Sequence, residues 1–207
     1  MTEDGSVPDA VLPLVRQACG DDTIRVRTKV LAMHLESDRE CVISGDFEPG
    51  NVLSSMTRNV CLGFGSATVG PIAYDYGTML GSLVLAFLAQ PYLNPGNTHI
   101  QSDIMTGVRD MWQAFSGELA RQCDIASRDD MAFSSFLSSV EYDSIGYAAC
   151  ELADMAWGRT TPSEVASLSD EQRALVTKDA ALAIMSMMGR MMTMDDLLGC
   201  LSSHVER

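Results

Sequence analysis

One short β-prone block, residues 41–62, stands in a chain whose remaining patterns are helical. Cys41-Val42-Ile43 is a brief apolar run that stops at Ser44-Gly45-Asp46. Pro49-Gly50 marks a tight turn, and Val52-Leu53 and Val60-Cys61-Leu62 flank a polar stretch suited to a small hairpin. The fold class expected is therefore mainly α, with one small β hairpin that carries loops.

The helices follow from apolar spacing. Pro8-Asp9-Ala10 opens a first helix with Val11, Leu12 and Val15 on its apolar face, and Gly20-Asp21-Asp22 stops it. Residues 23–37 form a second, with Val26, Val30, Met33 and Leu35 expected to face inward. Residues 63–71 read as a glycine-rich loop. Residues 74–89 are the most apolar element and are expected at the centre. A loop at 91–97 precedes a helix over 98–126, whose Ile104, Val108, Met111, Trp112, Phe115 and Leu119 recur at helical spacing. Helices over 131–157, 170–188 and 194–205 complete the chain. Thr161-Pro162-Ser163-Glu164 marks a helix start, with proline in the first turn. No internal repeat is visible. Residues 1–8 are expected to be a flexible tail and 9–207 a single domain. Met185, Met187, Met188, Met191, Met192 and Met194 are read as packing, because methionine fills irregular gaps.

Charge and cysteine usage exclude several functions. The formal net charge is −14, which a nucleic-acid backbone or an anionic membrane would repel. The six cysteines form no C-x-x-C pair and there are three histidines, so a zinc site is not expected. Free, buried thiols in a reducing compartment are expected instead. The acidic start has no signal-peptide pattern, and the longest apolar run, residues 79–89, is too short to span a bilayer. The expected location is cytoplasmic. His34, His99 and His204 read as surface or half-buried groups, and no G-x-S-x-G pattern accompanies them.

Candidate chemistry concentrates in Ser44-Gly45-Asp46-Phe47-Glu48-Pro49-Gly50-Asn51. An Asp on a loop at a strand's end is held rigidly enough to orient a substrate hydroxyl and accept its proton. Asn51, five residues on, could offer its amide oxygen to Mg²⁺, which prefers oxygen ligands. Phosphotransferases of the kinase superfold use an Asp and an Asn at this spacing. An ordinary β-turn would account for the same residues.

The context resembles the methylthioribose kinase family, within the aminoglycoside phosphotransferase-like and choline-kinase-like group. Residues 44–53 are similar to that family, as are Val69-Gly70-Pro71-Ile72-Ala73-Tyr74-Asp75-Tyr76-Gly77, Gly146-Tyr147-Ala148-Ala149-Cys150-Glu151-Leu152 and Arg173-Ala174-Leu175. The resemblance covers most of residues 10–201. It implies the C-terminal lobe of a protein-kinase-like phosphotransferase fold. The implied reaction carries the ATP γ-phosphate to the anomeric hydroxyl of 5-methylthioribose, with Mg²⁺, in methionine salvage. Asp46 matches the catalytic Asp. Asn51 stands where the broader group has its metal-binding Asn. Asp75 matches an Asp whose implied role is to accept backbone N–H bonds from the catalytic loop.

Other positions depart from the family. Ser44 replaces a His before the Gly-Asp pair. The metal-holding acids that follow the hairpin fall on Gly63, Phe64 and Gly65. Ala153, Asp154 and Met155 occupy the stretch of a substrate-binding arginine pair, with Arg159 some residues late. No nucleotide-cradling glycine motif occurs, and Gly77 and Gly81 are too sparse to serve as one. The expectation is an impaired or inactive isolated chain that needs ATP and Mg²⁺ if active. The alternative is a non-catalytic pseudokinase lobe binding a ligand or partner. Expected partners are a small sugar and either a second copy or a separate N-terminal lobe, with no nucleic acid or membrane.

Overall fold

The computed structural model describes residues 9, 11–123, 131–157, 163–190 and 193–205. The expected tail, Arg159, the Thr161-Pro162 part of the expected helix start, Met191 and Met192 lie outside them. The elements, in order, are α1 (Leu12–Gly20), α2 (Asp22–Ser37), β1 (Cys41–Ile43), β2 (Val52–Ser54), β3 (Asn59–Cys61), β4 (Thr68–Gly70), α3 (Ala73–Leu93), α4 (His99–Gln122), α5 (Met131–Ala156), α6 (Ser163–Ala166), α7 (Asp170–Gly189) and α8 (Met194–Val205). This is the mainly α architecture of a kinase-like C-terminal lobe.

The core is built on α3 against α5, the most extensive helix contact among the described residues. Leu80, Val84, Phe87, Ile145, Ala148 and Leu152 are almost wholly buried there. Two glycines set the approach. A Cβ on Gly77 would stand 2.5 Å from the Tyr147 Cβ, and one on Gly81 would stand 2.7 Å from the Ala148 carbonyl oxygen. Their role is close helix packing. Trp112 and Phe115 from α4 stack against Tyr76, with ring centroids 5.4 and 5.0 Å away. Met187, Met188 and Met194 are buried in the same core and Met185 packs against it. Val11, at the N-cap of α1, and Val15 within it pack against Ala181 of α7. Ser169 caps α7 through a reciprocal capping box with Gln172.

Three sequence expectations need correction. The first is the face of α2. Val26, Val30 and Met33 are 58%, 40% and 65% exposed, whereas Ile24, Arg27 and Leu31 are buried. The buried face is partly polar. Arg27 donates to the Met187 and Tyr142 carbonyl oxygens, both at 2.5 Å, and its guanidinium carbon lies 3.7 Å from the centre of the Tyr142 ring. Two carbonyl acceptors and a π face replace the water this cation loses, so an arginine takes a position that apolar periodicity denies it.

The second concerns residues 63–71. They contain a 3-10 turn, Phe64–Ser66, and the strand β4, which pairs antiparallel with β1 in the register Cys41↔Gly70, Val42↔Val69, Ile43↔Thr68. The expected hairpin does form, as β2 with β3. It folds back on itself and returns the chain beside β1, a long-range pairing that local pattern does not announce. A Cβ at Gly70 would stand 2.7 Å from Ile43 Cδ1, so a side chain there would have to displace the end of the Ile43 side chain.

The third is the end of α3, which continues through Pro91 to Leu93. Proline lacks an N–H and so leaves the carbonyl four residues earlier without its helical donor. That carbonyl belongs to Phe87, and the buried amide of Gln101 donates to it at 3.3 Å.

The six cysteines form no disulfide, and none is fully buried. Cys61 and Cys123 are exposed and the other four are half-buried.

Candidate functional site

The site begins where β1 runs out. Ile43 and Ser44 are buried, Gly45 turns the chain at φ +77°, and Asp46 emerges exposed. Only glycine takes this left-handed turn without strain. The turn is also crowded: a Cβ on Gly45 would stand 2.6 Å from the Ser66 carbonyl oxygen.

Asp75 holds this turn from below. It sits in the first turn of α3, and its two carboxylate oxygens accept the N–H groups of Ser44 at 2.6 Å and Gly45 at 3.1 Å. Paired N–H bonds to an ionised acceptor fix direction as well as distance. Thr78, one turn along α3, donates its hydroxyl to the Phe47 carbonyl at 3.0 Å. Ser44 Oγ accepts the Asp46 N–H at 3.3 Å.

The far end of the loop folds back onto Asp46. A 3-10 turn, Pro49–Asn51, places the Asn51 amide nitrogen 2.9 Å from the Asp46 carbonyl oxygen and 3.1 Å from its Oδ2. Both partners are acceptors only, so the NH₂ side of Asn51 must face them. The Asn51 carbonyl receives the Leu62 N–H at 2.8 Å, and Gly63 follows at φ +84°. A Cβ on Gly63 would stand 2.9 Å from Asn51 Nδ2 and 3.0 Å from its Cγ. Ser44, Asp46, Asn51, Gly63 and Asp75 thus meet in one loop cluster held on α3.

A strand, a Gly-Asp turn and an Asn returning to that Asp form a loop of the kind that positions an acceptor in phosphoryl transfer. The family model described as the phosphotransferase enzyme family matches residues 3–101. Over that stretch, just under half of its length, this chain is similar to that phosphotransferase family. It is 26% identical over 171 residues to the methylthioribose kinase of Erwinia tasmaniensis, covering 79% of this chain and 43% of that protein. It is 24% identical over 182 residues to that of Yersinia enterocolitica, and 25% over 182 residues to that of Pectobacterium carotovorum. Each of these two alignments covers 84% of this chain and 46% of the relative. The chain therefore spans under half the length of these curated relatives.

The remaining singled-out positions divide between site and core. Met155 and Ala153 are buried and belong to the helix core. Asp154 is half-buried. Asp154 and the loop carboxylate Asp46 both act on two groups that sequence reasoning did not single out. Burial pushes the Glu151 carboxyl up, and the negative charges of Asp154, Glu48 and Asp46 push it further. Burial likewise raises the Tyr74 hydroxyl, with added contributions from Glu151, Asp75, Asp154 and Asp46. Glu151 and Asp154 stand three residues apart on α5, a spacing that puts them on one helix face. That spacing was the available signal. Gly65 faces open space.

An open cleft of about 440 Å³ flanks the turn, lined by Leu35, Arg39, Gly45, Ser66, Thr68 and Tyr74 among others. His34 lies on α2 with Nδ1 3.0 Å from the Asp143 carboxylate.

Mg²⁺ asks for near-octahedral oxygen coordination, usually with one or two carboxylates and several waters. The loop offers the Asp46 carboxylate and an Asn51 amide whose nitrogen side is turned inward, while Gly63 and Gly65 supply no side-chain oxygen. Among the described residues, no group of three or more His, Cys, Asp or Glu could hold a metal ion. The Asp46 carboxylate and the Asn51 amide oxygen could supply two of its oxygen ligands, which would leave the others to phosphates and water. No described helix is long and apolar enough to cross a membrane.

Proposed function

We propose that this chain is the C-terminal lobe of a methylthioribose kinase-like small-molecule phosphotransferase, acting in the cytoplasm and impaired or inactive as an isolated chain. The observation that carries the reading is the double N–H grip of Asp75 on Ser44 and Gly45, which leaves Asp46 exposed at the strand's end. Asp46 orients the acceptor hydroxyl and takes its proton as the oxygen bonds to the γ-phosphorus. The bond from that phosphorus to the bridging oxygen breaks, and ADP leaves with the electron pair. The acceptor proposed is the anomeric hydroxyl of 5-methylthioribose, which would place the reaction in methionine salvage. Asp75, Thr78 and Ser44 keep the loop in shape through backbone contacts.

A second reading is a non-catalytic pseudokinase lobe that binds a ligand or partner. Gly63 and Asp154 favour it, since one removes a carboxylate and the other sets an anion where the family has cations. Under either reading the partner is a second copy or a separate N-terminal lobe. Val42, Leu53, Phe64 and Val69, which are 74%, 58%, 60% and 41% exposed around the β elements, support such a contact.

A coupled ADP-release assay with 5-methylthioribose and Mg-ATP tests the first reading. Turnover that disappears in Asp46→Ala supports it. Turnover unaffected by that change rules out the role given to Asp46. Absence of turnover combined with retained sugar binding favours the second reading.

A further inference from the structure

We propose that Gly77 is a positioning residue for Asp46. By letting α5 touch α3 between the two residues with which α3 grips the loop, it sets how near Asp46 stands to the α5 face that carries Glu151 and Asp154. The inference rests on the reading of Asp46 as the acceptor's base. Three observations carry it.

The first is that one turn of α3 serves two neighbours. Asp75 and Thr78, three residues apart, share a helix face. Asp75 takes the Ser44 and Gly45 N–H groups just ahead of Asp46, at 2.6 and 3.1 Å. The buried Thr78 Oγ1 stands 3.0 Å from the Phe47 carbonyl oxygen, just after Asp46, and 2.9 Å from the Asp75 carbonyl oxygen. Asp46 is therefore held from both sides of its place in the chain. Gly77 and Gly81, four residues apart, lie on another face of the same helix and meet α5.

The closeness of that meeting is the second observation. A Cβ on Gly77 would stand 2.5 Å from the Tyr147 Cβ, 2.8 Å from the Ser144 carbonyl oxygen and 3.2 Å from the Ala148 amide nitrogen. The last two are backbone atoms, which cannot swing aside. A side chain at 77 pushes the helices apart at the very turn that holds the loop. A close-packed interior transmits such a displacement rather than absorbing it.

The third is what lies along α5. Tyr147, Glu151 and Asp154 recur at i, i+4 and i+7, one stripe of that helix. A Cβ on Gly81 would stand 2.9 Å from the Glu151 Cβ, so this stripe faces α3. After burial and Asp154, it is Glu48 and Asp46 of the loop that push the Glu151 carboxyl up. Loop and stripe are thus close enough to feel one another's charge, and Gly77 governs the gap between them. An acceptor seated on Asp46 also meets α5.

The test reads the charge of Asp46 at Glu151, in the full chain, by ¹³C NMR titration of the Glu151 side-chain carboxyl. In the wild type, Asp46→Asn should lower the Glu151 midpoint. In a Gly77→Ala background the same substitution should lower it less, because the loop has withdrawn from α5. Comparing each pair cancels the change in burial that helix separation alone would cause. Should Gly77→Ala not fold, Thr78→Val decides. It keeps the helix spacing and removes one grip, so the Asp46→Asn shift should shrink there and return in Thr78→Ser. A shift of wild-type size in Thr78→Val, or in folded Gly77→Ala, would overturn the proposal. So would the absence of any shift in the wild type. The titrations contain neither nucleotide nor acceptor, so the proposal can fail while phosphoryl transfer stands, and the reverse.

Discussion

The Asp75 carboxylate accepts the Ser44 N–H at 2.6 Å, across thirty-one residues of chain, and so ties the first turn of α3 to the end of β1. The same carboxylate takes the Gly45 N–H at 3.1 Å. Replacing it with Ala strands two N–H donors at a half-buried turn. Asp75→Ala should lose about 1–3 kcal/mol of unfolding free energy in urea titrations. Asp75→Asn should lose less, since its amide keeps one acceptor. If the proposed activity exists, both variants should lower kcat more than KM, because Asp75 shapes the loop without touching substrate.

Gly81 lies where α3 crosses α5. Gly81→Ala puts a methyl within 2.7 Å of the Ala148 carbonyl and 2.9 Å of the Glu151 Cβ. Backbone cannot yield as a flexible side chain does, so the helices must separate. The expected loss is about 1–3 kcal/mol, read from the urea midpoint at unchanged slope. A neutral or stabilising result would mean that the helix pair relaxes freely.

Gln101 and Phe87 form the second long-range device. Gln101→Leu should leave the Phe87 carbonyl, already deprived of a helical donor by Pro91, buried without a partner. A loss of about 1–3 kcal/mol is expected. Pro91→Ala in the same background should recover part of it, because the helical N–H returns.

Glu151 gives a pH dependence with a definite sign. Burial, followed by Asp154, Glu48 and Asp46, raises its carboxyl in the folded state. The folded protein therefore holds this proton to higher pH than the unfolded chain does, and stability falls as pH rises from the ordinary carboxylate range through the raised value. The contribution is fully present below the unfolded pKa. Glu151→Gln should melt higher than the wild type at neutral pH, and the two should converge in acid, near pH 4 or roughly below it. A gap that persists in acid would place the cause outside this ionisation.

Much of the fold was legible because it is local. The apolar run of α3 and the spacing of Val108, Met111, Trp112 and Phe115 are patterns within one or two helical turns. The hairpin β2–β3 was legible for the same reason. Within the loop, Asp46, Asn51 and Asp75 stood out because Gly, Asp, Pro and Asn gather there at a characteristic spacing. The inward face of α2 was not legible, because hydropathy ranks Val26, Val30 and Met33 above Arg27. Only the carbonyls of Tyr142 and Met187, more than a hundred residues away, reverse that ranking. Glu151 was hidden likewise, since its environment comes from α3, α5 and the loop together.

By itself the sequence determined the helices, the hairpin and the family resemblance, because each depends on neighbouring residues or on motif order. Tertiary structure alone decided what those residues face. It paired β4 with β1, turned Arg27 inward, set Gln101 on the carbonyl that Pro91 frees, and aimed the Asn51 amide at Asp46 beside Gly63. The physical reason is common to all four. A polar group leaving water must find a partner, and where the partner lies far along the chain, only the folded geometry can supply it.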